Sequence, residues 1–327
     1  MNLNLKTKIY LKQIFKLFFF CTPNYLKRVI YKKRQDEQMK KQLHIFHKYK
    51  VSHKEVIDAL EQLEFNSDIL IHSSLIDIGD VKGGHKSFIK YLNDKILDNG
   101  YTILSIAIPV KGSTYDYLDS ISSFSREAPN GMGVFTKFYL KLQNSYRSLN
   151  PTHSIVALGN KSLYYTQDHH FDETPFAINS PYYKMLLQNA SVLMIGCEIK
   201  HLTICHLIED MMGDKFPFDV YSKKKFPIKI IKDNEIIYNG VYKAHSPLIS
   251  AIRVSDYIND KILELDSTKR VKIGHSELIM LNVRDVVLSM LNELIEGWTI
   301  YGYRKVSEDC KEYARYWITK IKEMDRS

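Results

Sequence analysis

The chain reads as an α/β protein, a mixed central sheet flanked by helices, with an added basic helical segment at the N-terminus. Three observations predict that class. DILIHSSL (68–75), YTILSIAIPV (101–110) and SVLMIGCE (191–198) are short apolar runs with the length and β-branched content of buried strands. Capped helix-period segments separate them, and alternation of the two favours a parallel or mixed sheet. Tyr is abundant, at 22 residues, and suits strands.

The elements follow in order. Residues 1–45 carry eleven Lys and Arg against two acids, a surplus that equals the +9 of the whole chain. Residues 46–327 are therefore formally neutral, which argues against a nucleic-acid groove across them. The apolar run of the leader is broken by Lys16 and is far shorter than the ~20 residues of a spanning helix. A lysine inside that run also argues against a secretory signal. Two readings of the leader stand side by side. It is a helix lying on an anionic membrane face, or an extra helix packed on the domain with its basic face in water.

SHKEVIDALEQLE (52–64) opens with Ser52 and Glu55 in capping-box spacing, and Val56, Ile57, Leu60 and Leu63 form its apolar stripe. A glycine turn and helix follow strand 68–75 at 79–97. Residues 111–133 read as a long polar loop and VFTKFYLKLQ (134–143) as a helix. SIVALG (154–159) reads as a strand. SPYYKMLLQN (180–189) is a helix capped by Ser180 with Pro181 in its first turn. Residues 202–212 are a helix. Residues 219–262 have the look of antiparallel strands turning at Asp233-Asn234. Helices at 284–296 and 307–324 close the chain. The four cysteines lack paired metal spacing, as expected of reduced thiols in a cytoplasmic protein.

Ligands of such sheets sit outside the carboxyl ends of the strands. Three polar loops fall at strand ends or between sheet elements: HSSL (72–75), RSLNPTHS (147–154) and GCEIKHLT (196–203). His206 and Glu209, three apart on a helix, share one face, so a carboxylate can orient an imidazole that accepts a proton near neutral pH. The plain alternative is a hydrogen-bonded structural histidine. His201 and Cys205 do not complete a metal set, and no metal is expected. Arg147 can neutralise a phosphate or simply bond its own turn; the local pattern does not choose.

Six segments in collinear order resemble the aminoglycoside 3-N-acetyltransferase (antibiotic N-acetyltransferase) family. They are IHSSLIDIGDVKGG (71–84), the Gly-Met-Gly loop before VFTKF (131–138), RSLNPTHSIVALG (147–159), SPYYKML (180–186), VLMIGCEIKHLTICHLIE (192–209) and IGHSELIMLNVRDVV (273–287). The resemblance spans about residues 50–302. It implies acetyl-CoA, or another acyl-CoA, as co-substrate and acyl transfer to a primary amine in a ternary complex. By the same resemblance His206 is the general base, with Thr203 and Glu209 in its T-x-x-H-x-x-E motif. His72, Ser73, Ser74, Leu75, Arg147, Ser148 and His153 would border the acyl donor. The domains that follow are a basic amphipathic leader (1–45), the CoA-dependent N-acetyltransferase domain (46–305) and a C-terminal helix (306–327).

Two departures bear on the acceptor. Asn150-Pro151 stands where the family usually has His-Pro. YNGVYKAHSPLISAIR (238–253) is basic where an acidic segment would suit a polycationic antibiotic. An aminoglycoside or related amino sugar is one expected acceptor. A nucleotide-linked amino sugar for a surface polysaccharide, met by Lys243, His245 or Arg253, is another. A non-catalytic scaffold tethered to the inner membrane face is the reading from a different class, and a homodimer is compatible with all three.

Overall fold

The computed structural model describes residues 4–110 and 112–325. Residues 1–3, Lys111 and residues 326–327, which belong to the leader, the polar loop and the C-terminal segment, lie outside the described residues.

Ten strands form the two larger sheets: β1 (Ile69–Ser73), β2 (Ile103–Ile106), β3 (Ser123–Ser125), β4 (Tyr146–Arg147), β5 (Ile155–Leu158), β6 (Ser191–Ile195), β7 (Phe226–Lys232), β8 (Glu235–Tyr242), β9 (Lys269–Ile273) and β10 (Ser276–Asn282). The central sheet has the order β9-β10-β6-β1-β2-β5-β4. Its three middle strands, β6, β1 and β2, are parallel, and the strands on either side are antiparallel. This is the mixed sheet the sequence predicts. The middle strands are buried along almost their whole length because helices cover both faces, so their sequences are apolar runs rather than alternations.

The carboxyl ends of β6, β1 and β2 lie side by side, and the polar loops at 74–79, 107–133 and 196–206 leave from that edge. The strand β5 runs the other way, so its entry at His153 reaches the same edge. Gly196, at φ 66°, makes the turn after β6; a Cβ there would sit 2.6 Å from the Ser74 carbonyl oxygen. That close approach keeps the loop after β6 against the loop after β1.

Asp68 fixes the opposite end. Its buried carboxylate accepts from the Thr102 N–H (2.8 Å) and the Tyr165 hydroxyl (2.7 Å), with Lys161 at 3.4 Å. One side chain thereby ties the entry of β1 to that of β2 and to the helix after β5.

The smaller sheet has the order β8-β7-β3, with β3 parallel to β7. Asp233 and Asn234, both at positive φ, make the hairpin turn the sequence predicts. The stretch read as a long polar loop differs: it contains a helix (Thr114–Ser120), capped by Ser113, as well as β3. Leu118 and Phe124 bury against Ile228, Ile230 and Tyr242, about a hundred residues downstream, and no local pattern reports that partner. Downstream of β8 the expected strands give way to helices at Pro247–Ala251 and Asp256–Leu263.

The leader forms two helices, α1 (Leu5–Cys21) and α2 (Asn24–Lys48). The first docks through Ile9, which enters the main core, and Gln13, whose amide donates to the Tyr301 carbonyl. The second docks through Ile45 and a Gln42–Asp77 contact at 3.1 Å. Phe18, Tyr25 and Val29 remain exposed. Among the described residues no helix is long and apolar enough to cross a membrane.

Asp68→Ala would leave the Tyr165 hydroxyl and the Thr102 N–H buried without their acceptor. The expected loss is about 3 kcal/mol, read as a lower denaturation midpoint at unchanged slope. A loss under ~1 kcal/mol would mean that the clamp is dispensable.

Candidate active site

The loop after β6 reaches Thr203–His206 as a tight 3₁₀ turn and only then becomes the α-helix Leu207–Met212. The sequence predicts one continuous helix. Burial of Ile204 and Cys205 holds the chain in the tighter turn, where residues three apart eclipse one another. His206 thus stands at the junction, with Glu209 one turn deeper.

Glu209 is buried and makes three contacts. Its Oε1 accepts from His206 Nδ1 (2.9 Å) and the Tyr301 hydroxyl (2.8 Å), and its Oε2 accepts from His245 Nε2 (2.6 Å). Burial pushes this carboxyl up, but the charges and hydrogen bonds of His206 and His245 outweigh it and hold the group well below the usual range. An ionised carboxylate only accepts, so each imidazole donates to it. His206 therefore carries its proton on Nδ1, and Nε2 presents a lone pair.

Arg253 occupies that lone pair. Its Nη1 donates to His206 Nε2 at 3.0 Å, and its Nη2 donates to the Lys200 carbonyl at 2.6 Å. Burial, first, and then His245 and Arg253 pull His206 below its ordinary value, against the opposing pull of Glu209. The imidazole is neutral at neutral pH. Phe176 stacks on it at 5.5 Å between centroids, which fixes the plane of the ring.

His206 and His245 open into a cleft of about 1480 Å³ that is also lined by Ser73, Ser74, Leu75 and His153 and by the Gly131–Gly133 loop. These side chains meet as the sequence reading expects. Ser74 already donates its hydroxyl to Asp77 and its N–H to the Ile195 carbonyl. His153 has a solvent-shielded Nδ1 without a partner and is held well below its ordinary value by burial and by neighbouring histidines.

The remaining expected residues fall outside the wall of that cleft. His72 is buried behind Ser73, and burial pushes it down to about 4. Thr203 is half-buried at the start of the 3₁₀ turn and does not line the cleft. Ser148 is buried, bonded to His169 Nδ1 (2.9 Å) and to the Ile155 N–H (3.0 Å). Arg147 is buried, and its guanidinium donates to the carbonyls of Ala107 (2.7 Å), Pro129 (3.0 Å), Arg126 (3.1 Å) and Ala128 and to Ser154 Oγ (3.1 Å). The position expected to face a donor phosphate instead pins two loops from behind. Asn150 has a comparable role: its Oδ1 accepts from the N–H groups of Thr152 and His153 and so shapes the turn that delivers His153.

Tyr301 is the site residue that sequence reasoning misses. It lies 92 positions from Glu209, and nothing in YGYR marks it. His206, Glu209 and His245 also bring three ligand atoms within 4.8 Å of one another, a donor set that suits a transition metal. In the present arrangement both imidazoles donate to the carboxylate, so a cation there would displace two N–H groups.

The fold and site are those of an α/β protein in which a buried carboxylate orients a neutral histidine at the carboxyl edge of a mixed sheet, facing an open cleft. The chain belongs to the aminoglycoside 3-N-acetyltransferase family, whose model matches residues 70–294. It is 23% identical over 208 residues to the aminoglycoside N(3)-acetyltransferase III of Pseudomonas aeruginosa, covering 57% of this chain and 72% of that one. It is 28% identical over 160 residues to the aminoglycoside N(3′)-acetyltransferase-like protein YokD of Bacillus subtilis, covering 43% of this chain and 57% of that one. A solved aminoglycoside acetyltransferase, AAC-IIIb with CoASH, superposes with a TM-score of 0.60 at 18% identity, over 76% of this chain and 97% of that chain.

Arg147→Ala would strip four carbonyls and a hydroxyl of their donor. The expected result is a stability loss of about 3 kcal/mol, with the Michaelis constant for acetyl-CoA within about twofold of the parent protein. A selective rise in that constant at unchanged stability would return Arg147 to the donor channel.

Proposed function

We propose that the protein transfers an acetyl group from acetyl-CoA to a primary amine of an aminoglycoside or related amino sugar, in a ternary complex with His206 as general base. The observation that carries this reading is the His206–Glu209 pair, which leaves the lone pair of a neutral, cleft-lining imidazole on Nε2, where Arg253 now donates to it. Family membership supports the reaction class. The CoASH-bound fold relative and the lining residues Ser73, Ser74 and Leu75 support placing the thioester along this cleft.

The steps follow from the chemistry. The acceptor arrives as an ammonium, which is not a nucleophile, and displaces Arg253 from Nε2. His206 takes one proton and becomes an imidazolium stabilised by Glu209. The freed amine attacks the thioester carbonyl and a C–N bond forms. The tetrahedral oxyanion needs a donor, and backbone N–H groups at the cleft edge are the candidates. Collapse breaks the C–S bond and the CoA thiolate leaves; the imidazolium proton passes to sulfur, and the second proton of the attacking nitrogen is released to water in the cleft, leaving a neutral amide. The products are an N-acetyl amide and free CoA thiol. His245 and Tyr301 keep Glu209 ionised and in place throughout.

The exposed Phe18, Tyr25 and Val29, interleaved with the cations of α1 and α2, support peripheral contact with an anionic membrane surface.

His206→Ala is expected to lower turnover by ~10²–10⁴-fold while CoA binding stays intact, the range that loss of a positioned base produces. Because the base works only unprotonated, and its value in the fold is lowered, kcat of the parent protein should fall only below pH ~6.5 and be level above it. Thiol release against pH reads both. An acidic limb centred above pH 7, or full activity in His206→Ala, would remove the assignment.

A further inference from the structure

We infer that the acceptor carries an anionic group, a phosphate on the amino sugar, and that this group seats between α1 and Arg253 and draws the guanidinium off His206. The inference rests on the acetyltransferase reading and names its acceptor class.

A second cleft, about 1040 Å³, shares His201, Ser250 and Arg253 with the first. It is walled by α1 and by the segment around residues 250–256. Its charged lining is lopsided: Lys8, Lys12, Lys16, Lys200 and Arg253 face the single carboxylate of Asp256. Asp256 pairs with Lys12, and Lys200 pairs with Glu198 at 2.7 Å. Lys16 donates to the Arg253 carbonyl, and burial first, then Arg253 and Lys12, pull its ammonium below the ordinary value against the raising effect of Asp256. Lys8 and Arg253 face the space with no carboxylate partner among the described residues. A polycation entering here meets repulsion; a phosphate meets several donors at once.

Arg253 belongs to both clefts, lining this one and covering Nε2 in the other. While it donates to Nε2, the base is occupied. A phosphate in the cationic cleft offers Arg253 an anionic acceptor in place of a neutral nitrogen, adding the attraction of opposite charges and a second parallel N–H···O bond from the planar guanidinium. Binding of the anionic end of the acceptor would therefore expose the base for the amine at its other end. Most of the cations come from α1, which lies outside the segment matched by the family model. The neutral domain takes this charge from its leader.

The test uses the full chain, with thiol release from acetyl-CoA and calorimetric titration as separate readouts. Glucosamine, glucosamine 1-phosphate and kanamycin serve as probes. Uridine-diphosphate glucosamine and a decyl-phosphate-linked glucosamine tell a soluble carrier from a lipid one. The phosphorylated sugar should bind and turn over at least ~10-fold better than glucosamine, with the preference shrinking as salt rises. Lys8→Glu and Lys12→Glu, both on the exposed side of α1, should each reduce that preference several-fold. Arg253→Ala should raise kcat on glucosamine and raise KM for the phosphorylated sugar, and Arg253→Lys should restore the lower KM. Equal handling of the two sugars, or a preference for kanamycin, overturns the inference and leaves the acetyltransferase reading standing. Tighter binding of the phosphorylated sugar with no thiol release from any amine keeps the anion site and overturns the acetyltransferase reading.

Discussion

The site depends on one buried carboxylate. Glu209 joins three segments that are distant in sequence: its own helix, the loop at His245 after the small sheet, and the turn at Tyr301. An ionised carboxylate in the interior carries a desolvation penalty of several kcal/mol, which only good geometry and several donors offset. Three donors on two oxygens meet that requirement. The same charge decides the tautomer of His206. With a neutral group in place of Glu209, either ring nitrogen could hold the proton, and the form with Nε2–H could not act as a base. Stability and chemistry are therefore bound together at this residue.

Much of the scaffold is legible in the sequence because its causes are local. The capping box at Ser52 and Glu55, the Ser180–Pro181 start and the Asp233-Asn234 turn each rest on groups a few residues apart, and each is present. The three apolar runs become the parallel middle of the sheet for an equally local reason. The helix at Thr114–Ser120 and strand β3 escape notice because what stabilises them is a sheet formed much later in the chain. The site divides in the same way. His206 and Glu209 are close in sequence, so their spacing reports the pair. Tyr301 approaches through tertiary folding alone, and no spacing can report it.

RSLNPTHS shows why a dense set of hydrogen-bonding groups is weak evidence of a ligand. Arg147, Ser148 and Asn150 point into the protein and satisfy carbonyls, an imidazole and backbone N–H groups. Buried loops carry unpaired backbone groups, and polar side chains are the economical way to pair them. Only His153 at the end of the stretch reaches the cleft. The loop serves the site by holding that residue against Phe176, at 4.9 Å between ring centroids, and His245, at 5.9 Å.

The distribution of charge then sets how far the likeness to the relatives extends. A match over residues 70–294 covers His206, its carboxylate partner Glu209 and the carboxyl edges of the middle strands. It does not cover α1, where four lysines and no acid lie along one helix. That helix walls the cleft that shares Arg253 with the site, and it is fastened by Ile9 in the core and by Gln13 on Tyr301, the same tyrosine that holds Glu209. A change in the leader can thus reach the carboxylate through a single residue. The family likeness and the surplus of cations thus lie in different parts of this chain, and under the proposed function the reaction follows the first while the acceptor follows the second.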